Sequence, residues 1–347
     1  MTDKQRLSNY ELLRLLAGMA VVVLHFNFFP SGGGALDNAS GETYYVLMIF
    51  EIIALPAVNI FLLLSGYFSC HSNTINTGRL IEILIQTIIF RFGFAIVSSI
   101  ANHNWDAGRI ISSLVPVNFF VILYIVLMIL APFINKLISS LKSDDFTRLV
   151  TIMFVIFSVY VTAVDVFQEI SDRTWNGLSA IGLDGSMGGY TIVNFVLVYI
   201  IGAWIKKSDV TAKWRTSILL VVLVASIIAL FVWKTFIPGS AWNYSNPILI
   251  IESVVIFTLF GKIKISNKVI NNVARASFTC FLININILGF FGERFYAGRS
   301  TFLIVCVLFA ETLAIYVLSY VIMLIWNLIT QPIIKHTLNK LPKHIIG

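Results

Sequence analysis

Apolar runs close to the length of a membrane-crossing helix recur along the whole chain, separated by short polar segments. A helix needs about 20 mostly apolar residues to cross the hydrocarbon core of a bilayer. The pattern predicts spans near residues 10–29, 44–69, 80–101, 114–135, 146–164, 190–205, 216–236, 245–260, 277–293 and 301–328. We therefore expect an all-α, polytopic integral membrane bundle of about ten transmembrane helices, forming a single domain over residues 1–347.

Composition excludes a water-soluble protein. Apolar residues make up 58% of the chain and charged residues only 12%, whereas a soluble domain carries about 25% charged residues. The first run, from Leu12 to Phe29, is followed by no small-residue cleavage site, so it is interpreted as the first span rather than as a secretory signal.

The number of basic residues alternates between high and low from one segment between spans to the next. If the N-terminus is cytoplasmic, 17 of the 24 Lys and Arg residues fall in cytoplasmic segments and five in external loops, while Arg14 and Arg91 lie inside spans. This asymmetry is the positive-inside pattern, and it predicts that both termini are cytoplasmic. It also explains the net charge of +7 without a nucleic-acid partner, and none is expected.

The metal-ligating residue types are scattered. The three cysteines, Cys70, Cys280 and Cys306, form no CxxC motif and have no histidine cluster nearby. A disulfide framework and a zinc site are therefore not expected, and we predict no metal.

Ionisable side chains inside spans are costly in lipid and are functional candidates by default. The candidates are Glu11, Arg14, His25, Glu51, Glu82, Arg91, Glu252 and Glu311. Arg14 and His25 are eleven residues apart, which places them within roughly 20° of one helix face and about 16 Å apart along the axis. In the alternative interpretation, Arg14 reaches the headgroups and His25 satisfies a neighbouring helix.

Depth along the predicted spans suggests two pairings. Glu51 and His25 fall at similar depths, so Glu51 could orient or charge-stabilise the imidazole. Arg91 and Glu311 also fall at similar depths and could neutralise each other. A structural ion pair or an interhelical hydrogen bond is an equally good interpretation of each glutamate.

The second span ends in the segment NIFLLLSGYF, residues 59–68. In one interpretation, Ser65 and Gly66 are small residues that allow close helix packing. In the other, this segment is a Gly-containing turn that shapes a cytoplasmic pocket for a phosphorylated ligand, with Ser65, Tyr67 and Arg79 as the binding residues.

Six segments together resemble the membrane acyltransferases of family three. They are NYELLRLLAGMAVVVLH (9–25), VNIFLLLSGYF (58–68), NFFVILYIVLMILAPFIN (118–135), GGYTIVNFVLVYIIGAWI (188–205), NYSNP (243–247) and ASFTCFLININ (276–286). The first segment carries the family's pattern of an Arg, ten residues and a His, here Arg14 and His25. The chain departs from the pattern at Phe119, where many members have Trp, and at Asn194 and Asn284, where His is common.

The resemblance implies a single transmembrane acyltransferase domain in the bacterial cytoplasmic membrane. Family members transfer an acyl group, usually acetyl, from cytoplasmic acyl-CoA to a hydroxyl of a surface carbohydrate. The closest resemblance is to O-acetyltransferases of capsule and exopolysaccharide biosynthesis. Acetyl-CoA is thus the expected donor, and a surface polysaccharide or lipid-linked oligosaccharide is the expected acceptor. Membrane lipids are expected to surround the protein. The resemblance leaves open whether the protein forms a homo-oligomer.

Acyl transfer to a sugar hydroxyl needs a base, and imidazole titrates near neutrality. His25 is expected either to deprotonate the acceptor or to carry the acetyl group itself. Arg14 and Arg79 are placed to hold the phosphates of coenzyme A. Tyr124 and Arg91 are the candidate substrate-binding residues.

Two other classes of function are compatible with buried charges in a membrane bundle. One is a transporter or flippase for an amino acid or an acylated lipid-linked sugar. The other is a non-catalytic scaffold for polysaccharide assembly, which is disfavoured because a structural role rarely needs Arg and His at this spacing.

Overall fold

The computed structural model describes residues 7–28, 32–116, 118–173, 187–291, 296–338 and 343–345. Almost all of these residues are helical. The α-helices, in chain order, are α1 (Ser8–Asn27), α2 (Gly41–Ala54), α3 (Ala57–Ser69), α4 (Thr77–Ala101), α5 (Ala107–Ser112), α6 (Phe119–Ser140), α7 (Ser143–Phe154), α8 (Val161–Ser171), α9 (Ile192–Lys207), α10 (Val210–Lys213), α11 (Thr216–Phe236), α12 (Pro247–Lys262), α13 (Lys268–Val273), α14 (Ser277–Phe291) and α15 (Thr301–Leu338). A π-helical segment at Val155–Tyr160 joins α7 to α8.

A helix lies in each of the ten predicted runs, which confirms the helical fold class. Within the described residues, seven segments are long and apolar enough to cross a membrane, so the chain is a multi-pass membrane protein. The other three, α9, α12 and α14, have 16, 16 and 15 residues. The count of ten and the cytoplasmic location of the termini therefore stay predictions.

The chain divides into two compact units. The first unit consists of residues 1–70 and 140–320, and the second consists of residues 71–139 and 321–347. Helix α15 begins in the first unit and ends in the second.

Small residues bring α3 and α9 of the first unit into close contact. A Cβ atom added at Gly66 would lie 1.9 Å from the carbonyl oxygen of Tyr199, and one added at Gly202 would lie 2.4 Å from that of Leu63. Backbones can approach this closely only where glycine stands, as is typical of helix contacts in membranes. Gly66 is thus a packing residue.

Helices α1 and α14 run side by side in the same direction. The Ser277 hydroxyl donates to the carbonyl oxygen of Arg14 at 3.1 Å. Further along both helices, the Cys280 thiol donates to the carbonyl oxygen of Gly18 at 3.8 Å. This register carries the next polar residue of α14 towards the end of α1 that bears His25.

The NYSNP segment between α11 and α12 joins several helices. Asn59 of α3 and Asn194 of α9 each donate a side-chain hydrogen bond of 3.3 Å to the carbonyl oxygen of Tyr244. Ser158 of the π-helical segment donates to the carbonyl oxygen of Ser245 at 2.6 Å. Asn194, which departs from the family pattern, therefore holds this connection in place.

The second unit contains α4, α5, α6 and the end of α15. The strands β1 (Thr74–Asn76) and β2 (Lys343–Ile345) pair antiparallel, with Ile75 opposite His344. The Asn135 side chain on α6 donates to the carbonyl oxygen of Ser72 at 2.8 Å. This bond links α6 to the segment that leads into β1.

Candidate functional site

His25 is held by α14. Its Nδ1 forms a hydrogen bond with Oδ1 of Asn284, the residue that follows the Ser277 and Cys280 contacts along α14. Asn284 is fully buried, whereas the imidazole is partly exposed. The α1–α14 packing thus fixes the position of the imidazole at one end of α1.

The orientation of the Asn284 amide identifies the protonated nitrogen of His25. Its Nδ2 donates to the carbonyl oxygens of Cys280 and Phe281 at 2.8 and 3.0 Å. Because carbonyl oxygens only accept, the amide cannot be flipped, and Oδ1 must face the imidazole. Oδ1 also only accepts, so Nδ1 of His25 carries the proton. In the neutral ring, Nε2 then has a free lone pair, as a general base requires.

The predicted contact between Glu51 and His25 is wrong. Asn27, two residues after His25, donates its Nδ2 to Glu51 Oε2 at 2.8 Å. Within the described residues, His25 and Glu51 share no hydrogen bond or ion pair. Equal depth did not mean contact, because the face of α2 that carries Glu51 meets Asn27 instead of the imidazole. Glu51 therefore forms the interhelical hydrogen bond of the alternative interpretation, with Asn27, and a catalytic role for Glu51 stays a prediction.

Arg14 lies near the opposite end of α1 and pairs with Glu11 on the same helix. Its Nη1 lies 2.9 and 3.0 Å from the two carboxylate oxygens. The Arg14 side chain is 32% exposed and that of Glu11 is 9% exposed. A guanidinium has five N–H donors, and within the described residues Nε and Nη2 donate no hydrogen bond. These donors remain available for a ligand.

The predicted Gly-containing turn at SGYF is also wrong, because α3 continues as a helix to Ser69. Because Gly66 has no side chain, α9 can approach α3 closely; no turn is formed there. The Ser65 hydroxyl donates to the carbonyl oxygen of Phe61 at 2.8 Å. The ring of Tyr67 packs against Tyr10 at 5.0 Å, and the ammonium of Lys206 lies 4.7 Å from its centroid. Ligand binding by Ser65 and Tyr67 stays a prediction.

Three further candidate residues belong to the second unit. Arg79 pairs with Glu82 of its own helix at 2.8 Å, and its side chain is 49% exposed. Tyr124 stacks on Phe120 one turn earlier, with ring centroids 5.6 Å apart. Arg91 is partly buried on α4, in a different unit from Glu311. Their proposed roles, and the Arg91–Glu311 pairing, stay predictions.

Among the described residues, no three metal-ligating side chains come together. Cys70 and Cys280 are buried as free thiols, and Cys306 is exposed. The expectation that the protein needs no metal stays a prediction.

Sequence reasoning missed two partners. Glu11 stands three residues before Arg14, a spacing at which helical side chains meet, so the ion pair could have been found. Asn284 was noted only as a departure from the family pattern. A buried amide in an apolar run is a signal for an interhelical hydrogen bond, but the identity of its partner depends on which helices adjoin.

Comparison with known protein families shows which family the chain belongs to. A family model described as an acyltransferase domain, that of acyltransferase family 3, matches residues 7–331. No curated protein and no solved structure matches the chain. The match covers nearly the whole chain, including α1 and α14, which carry Arg14, His25 and Asn284. The protein therefore belongs to acyltransferase family 3.

Proposed function

We propose that the protein is an O-acetyltransferase that moves an acetyl group from cytoplasmic acetyl-CoA to a hydroxyl of a cell-surface polysaccharide or its lipid-linked precursor. The observation that carries the proposal is the hydrogen bond between His25 and Asn284 in a family 3 acyltransferase. That bond leaves Nε2 of His25 as an unprotonated nitrogen within an apolar bundle.

The chemistry requires one proton to move twice. As the acceptor oxygen attacks the thioester carbonyl, Nε2 takes the hydroxyl proton, since a free hydroxyl is a weak nucleophile at neutral pH. The carbon–sulfur bond then breaks, and the proton on Nε2 passes to the departing thiolate. Asn284 Oδ1 accepts from Nδ1–H in the neutral and charged rings alike, so it keeps the ring oriented throughout.

Asn284 also distinguishes this site from a histidine–carboxylate pair. An amide oxygen orients the ring but brings no negative charge to stabilise an imidazolium. Direct base catalysis needs the charged ring only briefly, so an amide partner suffices. We therefore favour proton transfer by His25 over an acetyl-histidine intermediate.

The donor would be held near the end of α1 that bears Arg14. Coenzyme A carries phosphates, which guanidinium groups bind well because their planar donors match phosphate oxygens. Glu11 occupies only Nη1 of Arg14, so the group is positioned by an ion pair yet retains unused donors. Lys206, exposed above the Tyr67 ring, is a further cation of the first unit. In the second unit, we assign Arg79 to binding of the donor. Tyr124 and Arg91 are assigned to binding of the acceptor.

The experiment that tests this function compares surface polysaccharide from cells with and without the gene by NMR. Acetyl signals on sugar oxygens should disappear when the gene is deleted and return with a plasmid copy. Unchanged acetyl signals in the deleted strain, with labelled acetyl-CoA giving no transfer in membranes, would contradict the proposal and favour a transporter or flippase.

A further inference from the structure

A large apolar groove lies in the first unit, away from the His25–Asn284 contact. Its volume is about 690 Å³, and it is bordered by α7, α9, α11 and α12. Pockets of this size hold small organic ligands. No residue of the candidate acyl-transfer site lines it.

The walls of the groove are helix faces with apolar side chains. On α11, Ile218, Leu219 and Val222 follow the spacing of one helix face, and Ile251 and Val254 do so on α12. Ile218 is 57% exposed and Ile251 is 39% exposed. The groove therefore opens on the side of the helices, where a membrane protein meets lipid chains.

Cations stand at one end of the groove. Lys213 and Arg215 line it where α11 begins, and both are exposed. In the part of the chain that the structure describes, neither is paired with a carboxylate. Seven residues separate Arg215 from Val222, so the apolar wall extends about 10 Å from the cations.

Two tryptophans flank these cations. Trp204 and Trp214 line the groove with ring centroids 6.3 Å apart, and Trp204 Nε1 donates to Thr147 Oγ1 at 3.1 Å. Tryptophan is enriched at the level of the lipid headgroups. The cations thus lie where a lipid phosphate would lie.

We propose that this groove is a binding site for an anionic glycerophospholipid, with an acyl chain along the apolar walls and the phosphate headgroup at Lys213 and Arg215. Basic pockets between membrane helices recognise anionic headgroups in this way. The acyl donor fits less well, since the amides of its pantetheine arm would face aliphatic walls and lose hydrogen bonds to water. The assignment does not depend on the acetyltransferase proposal.

Native mass spectrometry of the purified full-length chain tests the site. The probes are phosphatidylglycerol and phosphatidylcholine with identical acyl chains. We expect the wild type to retain phosphatidylglycerol with roughly tenfold or greater preference, because each cation near a membrane surface contributes to anionic lipid binding. Equal retention of the two lipids would overturn the proposal.

The double variant Lys213→Ala, Arg215→Ala should lose the preference. Its matched control is Lys264→Ala, Lys268→Ala, which removes two exposed cations that do not line the groove and should keep the preference. Equal behaviour of the two double variants would show that only net charge matters, and would contradict a localised site.

The groove itself is tested by Val222→Trp, which fills the apolar wall, against Ile228→Trp on an exposed part of the same helix. Only Val222→Trp should lower retention of both lipids; equal retention by these two variants would refute binding in the groove. Inorganic phosphate should not displace phosphatidylglycerol. Displacement at millimolar phosphate would indicate a free-anion site and overturn the lipid assignment. If Val222→Trp fails to fold, the lysine and arginine variants decide the question.

Discussion

At the scale of single residues, Asn284 acts on the reaction only through His25. Replacing it with leucine, of similar size, removes the acceptor for Nδ1–H, so the ring can rotate or take the other tautomer. We predict a fall in kcat of about 10–100-fold, as is typical when a group that orients a functional histidine is lost. KM for acetyl-CoA should barely change. Asn286→Leu, which changes a neighbouring asparagine of α14 without a described contact to His25, is the control.

The same experiment can contradict the assignment. If Asn284→Leu and Asn286→Leu have the same kcat, the bond to His25 has no catalytic consequence. If Asn284→Leu instead raises KM with kcat unchanged, Asn284 acts on donor binding rather than on the orientation of the base.

Arg14 offers a second test at this scale. Arg14→Lys keeps the positive charge that membrane topology requires, but it loses the planar donors that hold a phosphate. A loss of charge-assisted hydrogen bonding of about 1.5–3 kcal/mol should lower kcat/KM for acetyl-CoA roughly 10- to 150-fold. The control is Arg275→Lys, an exposed arginine outside the site. Near-normal kcat/KM in Arg14→Lys would indicate that Arg14 only reaches the headgroups.

The sequence predicts Arg14 and His25 as candidate residues because ionisable residues stand out in an apolar run. It did not identify Asn284 as the partner of His25, since the adjacency of α1 and α14 is set by packing at Gly18, Ser277 and Cys280. The Glu51 prediction failed for the same reason. Depth along a helix can be counted from sequence, but the face that a neighbour presents cannot.

At the scale of helices, the close approach of α3 and α9 depends on Gly66. In Gly66→Ala, the added Cβ would lie 1.9 Å from a backbone oxygen of α9, so the two helices must move apart. Overpacking of this kind costs about 1–3 kcal/mol or more. We predict a lower melting temperature and a lower yield of folded protein. Thermal unfolding of the purified chain in detergent measures both effects.

Gly93→Ala on α4 is the matched control, because an added Cβ there meets no atom within 4 Å. Alanine also favours helix over glycine, so this variant should be as stable as the wild type or slightly more stable. If Gly66→Ala unfolds at the same temperature as Gly93→Ala, the close packing of α3 on α9 is incorrect.

Helices were easier to predict than their contacts. Hydropathy located a helix in every predicted run because lipid demands long apolar segments. Hydropathy did not show whether Gly66 is a helix-packing residue or part of a turn, because glycine is common in both. The sequence also predicts that the sixth and eighth runs, 190–205 and 245–260, are short, and α9 and α12 have 16 residues each.

At the scale of the whole molecule, the ten-span topology makes a prediction about exposure to the two sides of the membrane. In a Cys306→Ser background, Ser40→Cys should react with a membrane-impermeant thiol reagent on intact cells, and Lys264→Cys should not. Both positions are exposed at the protein surface, so only the membrane separates them. Permeabilised cells provide the control, in which both should react.

Labelling of Lys264→Cys from outside would overturn the predicted topology. The ten-span topology also predicts that the loops between Ser31 and Ala39 and between Asp172 and Ser186 are accessible from outside. Residues 31 and 174–186 lie outside the described part of the chain, so Ser40 is the better position for the test.

In the proposed mechanism, His25 supplies the base for acyl transfer. The most direct measurement is transfer of labelled acetyl groups from acetyl-CoA to surface polysaccharide in membranes that contain either wild-type protein or His25→Ala at equal abundance. General-base catalysis contributes about 10²–10⁴-fold, so we predict that transfer by His25→Ala falls by that factor while the protein remains inserted. Transfer by His25→Ala at a near-normal rate would show that His25 is not the base.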